Sequence, residues 1–197
     1  MLPGLFNLKR NRLILIILSI GYIVLLLTGR IGYLVSNETS TKYIVGESIN
    51  LFIATVIVAI LVALLIIQSK VFVKFLLLML LIYFLASNII NFGNTISYGD
   101  FTCGIGITIF SFEILNSLLL AFAALFFGLT YFSKRMRTQL FTLSCLFSVI
   151  LFTAVIFILK TIQSNQWYEI IEASSSLFLS ATLPFAYLIY DGLVEKE

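Results

Sequence analysis

Histidine does not occur in this 197-residue chain. Its absence excludes Ser-His-Asp triads, His-ligated haem, His-based metal sites and imidazole proton shuttles. Cysteine is nearly as scarce, with Cys103 and Cys145 the two present. Cys103 falls near the outer end of the fourth apolar stretch and Cys145 near the inner end of the fifth. A pair separated by most of a membrane does not form a disulfide, so both read as small apolar side chains. Charged residues make up only 11% of the chain, against about 25% in soluble domains. Also missing are a phosphate loop, HExxH and GxSxG motifs, a Gly-rich filter sequence and any pair of aspartates spaced for a divalent ion. No cofactor or metal is expected, and an enzymatic role is disfavoured. No basic stripe interleaved with exposed aromatics is present, so nucleic acid is not an expected partner.

What the chain has in excess is apolar length. Hydrophobic residues make up 61% of it, and its mean hydropathy is +1.13. A helix needs about 20 apolar residues to cross the hydrocarbon core of a bilayer. Six stretches approach or exceed that length, over residues 13–35, 49–67, 75–90, 101–132, 140–159 and 170–190. They predict an all-α integral membrane protein: a compact bundle of about six transmembrane helices with short loops. Residues 1–12 form a cytoplasmic or interfacial lead-in, 13–190 the membrane domain, and 191–197 a wet cytoplasmic tail. Basic residues precede the first stretch as in a signal peptide, but its core is too long and no small-x-small cleavage site follows, so it reads as a retained span. The third stretch is short, so its start is placed nearer Val71, with Lys70 and Lys74 snorkelling to the headgroups. Residues 91–100 (NFGNTISYGD) break the apolar pattern. The fourth stretch is long enough to tilt strongly or to begin with a re-entrant turn at the CGIG of residues 103–106.

The basic residues orient the bundle. With the N-terminus in the cytoplasm and six alternating spans, nine Lys and Arg fall inside and three, Arg30, Lys42 and Lys160, fall in the outer half. That asymmetry satisfies the positive-inside rule and puts both termini in the cytoplasm. Six of the nine acids fall in the outer half. The NET of residues 37–39, a weak match to a glycosylation acceptor, is also predicted outside. Trp167 and Tyr168 are placed as interfacial anchors. No internal repeat aligns.

Arg30, Glu113, Asn116 and Glu172 are the candidate ligand or ion-pair residues. A carboxylate deep in a membrane is costly and faces protein or water rather than lipid. Glu113 therefore needs a partner or a hydrated cavity, with Glu172 close enough in depth to share it. Arg30, flanked by Gly29 and Gly32, either snorkels outward or pairs with Glu113 or Glu172. Those glycines suggest a close backbone approach at this level. Glu113 also heads a stripe of small residues, Ser117, Ala121, Ala124 and Gly128, at intervals of four, four, three and four. Small residues let neighbouring helices approach, so the stripe is expected to be a helix-packing seam and the fourth helix to be central. On the sixth helix Glu169, Glu172, Ser176 and Ser180 share a face, and Pro184 removes a backbone donor beyond them.

Two functional readings stand close together. One is a small transporter or a solute-capturing membrane subunit, whose partners are the bilayer, other membrane subunits or an ATP-hydrolysing chain, since this chain has no nucleotide motif of its own. The other is a non-catalytic subunit for partner binding, assembly, immunity or regulation. An intramembrane enzyme acting on lipid ranks last. The expected location is the cell membrane, as a multi-pass protein.

Overall fold

A computed structural model describes residues 8–36, 41–98, 104–129, 136–163 and 166–194. Six α-helices occupy them: α1 (Leu8–Ser36), α2 (Thr41–Ile66), α3 (Lys70–Tyr98), α4 (Gly104–Leu129), α5 (Met136–Gln163) and α6 (Trp167–Val194). All except α2 are long and apolar enough to cross a membrane, and the described apolar part of α2 is Phe52–Ile66. The protein is an all-α bundle and an integral, multi-pass membrane protein. In hydrocarbon no water is available for backbone polar groups, so the chain satisfies them within helices. Side-chain hydroxyls follow the same rule. Ser19 donates to the Leu15 carbonyl at 2.7 Å, Thr153 to Val149 at 2.7 Å, Ser174 to Ile170 at 2.8 Å and Thr182 to Leu179 at 2.6 Å. Back-bonding to the preceding turn lets a serine-rich helix such as α6 sit inside the bundle.

The centre of the bundle is α6, not α4. Of its apolar window 67% is buried, against 22–33% in the other four spans, and it packs against α1, α3 and α5. Its contact with α1 is built on glycine. Gly29 lies against the backbone of α6: a Cβ there would stand 3.3 Å from the Glu172 nitrogen and 3.5 Å from the Tyr168 oxygen. Gly21 accommodates the Phe178 ring and Gly32 the Trp167 ring. Numbers rise along α1 as they fall along α6, so the two helices are antiparallel. The start of α1 and the end of α6 therefore share one end of the bundle, the terminal end, and the α5–α6 connection marks the distal end.

The small-residue stripe of α4 packs only in part: Ser117 and Ala124 are half-buried, and Ala124 lies against the core. Ile109, Glu113, Asn116, Leu120, Ala123 and Phe127 are the buried residues, at alternating intervals of four and three. Ser117, Ala121, Ala124 and Gly128 each follow a packing residue by one position, which rotates them about 100° around the helix. Ala121 and Gly128 are exposed, and a Cβ on Gly128 would meet nothing within 4 Å. Large apolar side chains and two polar groups that cannot face lipid determine which side turns inward.

Other boundaries move as well. Residues 91–98, expected to break the pattern, continue α3 to Tyr98. The fourth stretch is a single helix of 26 residues starting at Gly104. The sixth continues through Pro184 to Val194, and Asp191, expected in a wet tail, is 4% exposed and accepts a 2.8 Å hydrogen bond from Gln139 Nε2. Lys74 turns inward instead of snorkelling. Its Nζ is buried and lies 5.3 Å from the centre of the Phe127 ring, which also packs edge-on against Tyr187 and Tyr190. This cluster ties α3, α4 and α6 together at the terminal end. Cys145 is a free, buried thiol. Cys103, the NET segment and the side chains of Lys134, Arg135 and Arg137 lie outside the described residues.

Candidate functional site

Among the described residues, the distal half of the bundle has two neighbouring cavities with mixed polar and apolar walls. The smaller, of about 100 Å³, is formed mainly by α3, α4, α5 and α6 and lined by Ser87, Asn88, Glu113, Asn116, Thr153 and Lys160, among others. Glu113 sits nine residues into α4, about 14 Å along its axis from Gly104 at 1.5 Å per residue. It is only 2% exposed, and Lys160 Nζ lies 3.5 Å from its carboxylate. The lysine comes from the last turn of α5, where a cation also complements the helix dipole. Its side chain is 42% exposed, so the pair joins a buried anion to a cation at the cavity mouth.

Asn116 lies one turn beyond Glu113 on the same buried face and is 2% exposed. Its Nδ2 donates to Asn88 Oδ1 at 3.3 Å and to Thr153 Oγ1 at 3.2 Å. Both acceptors are themselves oriented. Asn88 Nδ2 donates to the Phe84 carbonyl at 2.9 Å, and the Thr153 hydroxyl donates to Val149. Flipping the Asn116 amide would set oxygen against oxygen at both contacts, so the network assigns its direction. The result is a buried Asn116 Oδ1 with no hydrogen-bond partner. Leaving such an acceptor unsatisfied costs about 1–3 kcal/mol, and a ligand or a water is the usual remedy.

The larger cavity, of about 620 Å³, is lined by Tyr22, Arg30, Ala54, Tyr83, Ser87 and Glu172, among others. Arg30 Nη2 and Glu172 Oε1 are 2.8 Å apart, with side chains 23% and 42% exposed. This pair bridges α1 and α6 directly beside the glycine contact at Gly29. The two cavities share the wall formed by Tyr83, Ser87, Ser176 and Leu179.

Of the four candidate residues, Arg30 and Glu172 come together, and Glu113 and Asn116 come together, in adjacent cavities. Glu113 and Glu172 do not line the same one. Sequence reasoning offered Arg30 or a cavity to Glu113 and passed over Lys160, which looked like a loop charge. The signal was present: Lys160 ends an apolar helix, and the long side chain of a terminal lysine can reach back into the bundle. Asn88 and Thr153 were also missed, since a lone amide and a lone hydroxyl in apolar runs carry no pattern. No protein-family model, curated protein or solved structure matches this chain.

Proposed function

We propose that the protein captures a small polar solute from the distal side of the cell membrane, as a small transporter or as the solute-capturing subunit of a transport complex. The observation that carries this reading is the buried Glu113–Asn116 face. Glu113, 2% exposed, and Asn116, whose buried amide oxygen has no hydrogen-bond partner, both line one open cavity with Lys160 at its mouth. The buried Oδ1 of Asn11, at the terminal end, likewise accepts no hydrogen bond, so what supports solute capture is the coincidence of the Asn116 acceptor with a buried carboxylate in one cavity. Intramembrane ionisable groups that face a cavity mark solute or ion pathways in general. With no nucleotide motif in the chain, energy coupling falls to a solute gradient or to an ATP-hydrolysing partner.

The test is purification in mild detergent at native expression level, followed by mass spectrometry of everything retained. Wild-type protein should carry a small polar molecule that the Glu113→Gln variant has lost at equal protein recovery. If the wild type instead carries only other membrane proteins, the partner-binding or assembly role replaces this one.

A further inference from the structure

Building on the solute-capture reading, we infer that the solute is a small zwitterion, with one primary ammonium and one carboxylate on a short skeleton. The ammonium is taken by Glu113 and Asn116 Oδ1, and the carboxylate by Lys160. Three observations converge on this class.

The first is the charge of the walls. Glu113 and Lys160 line the same cavity, so the described ionised side chains there sum to zero. A simple cation entering meets the carboxylate but is repelled by the ammonium of Lys160. A simple anion meets the reverse. A zwitterion presents each pole to its opposite, and both poles recover by contact the hydration they lose.

The second is the looseness of the ion pair. Glu113 and Lys160 are 3.5 Å apart, whereas a closed N⁺–H···O⁻ contact is about 2.7–2.9 Å. Arg30 and Glu172 reach 2.8 Å in the next cavity, so a short ion pair is attainable between helices of this bundle. A bound zwitterion replaces this long contact of Glu113 and Lys160 with a short one to each charge. A polyol or an amide has no pole to offer either charge and leaves the pair as it stands.

The third is the orphan acceptor. Asn116 lies one helical turn from Glu113 on the same face, and its Oδ1 is oriented by the Asn88 and Thr153 bonds and has no partner. A primary ammonium carries three donors. The Glu113 carboxylate and Asn116 Oδ1 supply acceptors for at least two of them, and the cation at the mouth, Lys160, gives the opposite pole a partner that a bare metal cation would not use. A cavity of about 100 Å³ has room for a few waters at about 30 Å³ each. That favours a small solute, and glycine is the smallest zwitterion of the class.

The experiment is equilibrium dialysis of radiolabelled glycine against the purified full-length protein, with methylamine, acetate, acetamide and glycerol as competitors at constant ionic strength. Thermal unfolding with each compound provides a second readout. Glycine should bind and raise the unfolding temperature. Each competitor should be at least tenfold weaker, because each lacks one or both poles. Glu113→Gln and Lys160→Met should each weaken glycine binding at least tenfold, while Gly128→Leu, on the exposed side of α4, should leave it unchanged. Methylamine equal to glycine would overturn the zwitterion in favour of a cation site, and glycerol or acetamide equal to glycine would overturn it in favour of a neutral solute. In both cases solute capture stands. Failure of glycine to bind while the wild type retains another solute on purification likewise overturns only the zwitterion. Failure of both experiments on folded protein overturns both readings.

Discussion

Removing either charge of the Glu113–Lys160 pair should have unequal effects, and the inequality follows from burial. At 3.5 Å and an effective dielectric of about 20, the Coulomb attraction is about 5 kcal/mol. Lys160 is 42% exposed, so water and headgroups screen that figure, to about 1–3 kcal/mol of usable coupling. Lys160→Met leaves a carboxylate that is 2% exposed without the cation beside it. Breaking a pair buried on both sides costs about 3–5 kcal/mol, and with Lys160 half-exposed the cost here should be about 2–3 kcal/mol. Glu113→Gln leaves a lysine at the cavity mouth that can extend to the headgroups, so its cost should be about 1 kcal/mol. The double variant, with neither charge, should cost less than the sum of the two. Equilibrium unfolding of the three variants and the wild type in one detergent gives the cycle. Equal costs for the single changes, or additivity within about 0.5 kcal/mol, would refute the placement of a buried anion against a half-exposed cation.

Three further outcomes test the packing and the orientation. Gly29→Leu should destabilise by about 1–3 kcal/mol or more through overpacking, because its Cβ would lie 3.3 Å from the backbone nitrogen of Glu172. Gly128→Leu should fall within about 0.5 kcal/mol of wild type in the same assay, and equal costs at the two sites would contradict α1–α6 as the tight interface. The Arg30–Glu172 pair, with both partners partly exposed, should show a coupling of about 0.2–1 kcal/mol that declines with salt. A coupling above that of Glu113–Lys160 would reverse the roles given to the two pairs. Single cysteines placed at Ser69 and Gln166 of a cysteine-free variant should react with an impermeant reagent from opposite sides, Ser69 from the cytoplasm. External labelling of Ser69 would invert the orientation.

Much of the architecture was legible in the sequence because the bilayer imposes a strong and simple constraint. An apolar run of about 20 residues has few stable fates, so six helices and their approximate positions followed from hydropathy alone. The pairing of Gly29 and Gly32 around Arg30 likewise marked a place of close approach, and α6 packs there. Composition also removed whole classes of chemistry, since a chain without histidine cannot build imidazole sites.

The tertiary structure decided which faces meet. Lipid tails are as apolar as leucine, so hydrophobicity does not distinguish the inside of a membrane bundle from its outside. On α4 the stripe Ser117, Ala121, Ala124 and Gly128 and the face Asn116, Leu120, Ala123 and Phe127 differ by one residue in register, and helical spacing alone favours neither. Partners on other helices settle it: Asn88 and Thr153 for Asn116, and Lys160 for Glu113. These contacts join residues 28 to 47 positions apart in sequence. The ends of the helices were equally hidden. Gly93, Asn94 and Asp191 read as loop or tail residues, yet the helices run through them. At Asp191 a buried hydrogen bond from Gln139 outweighs the local propensity of an aspartate.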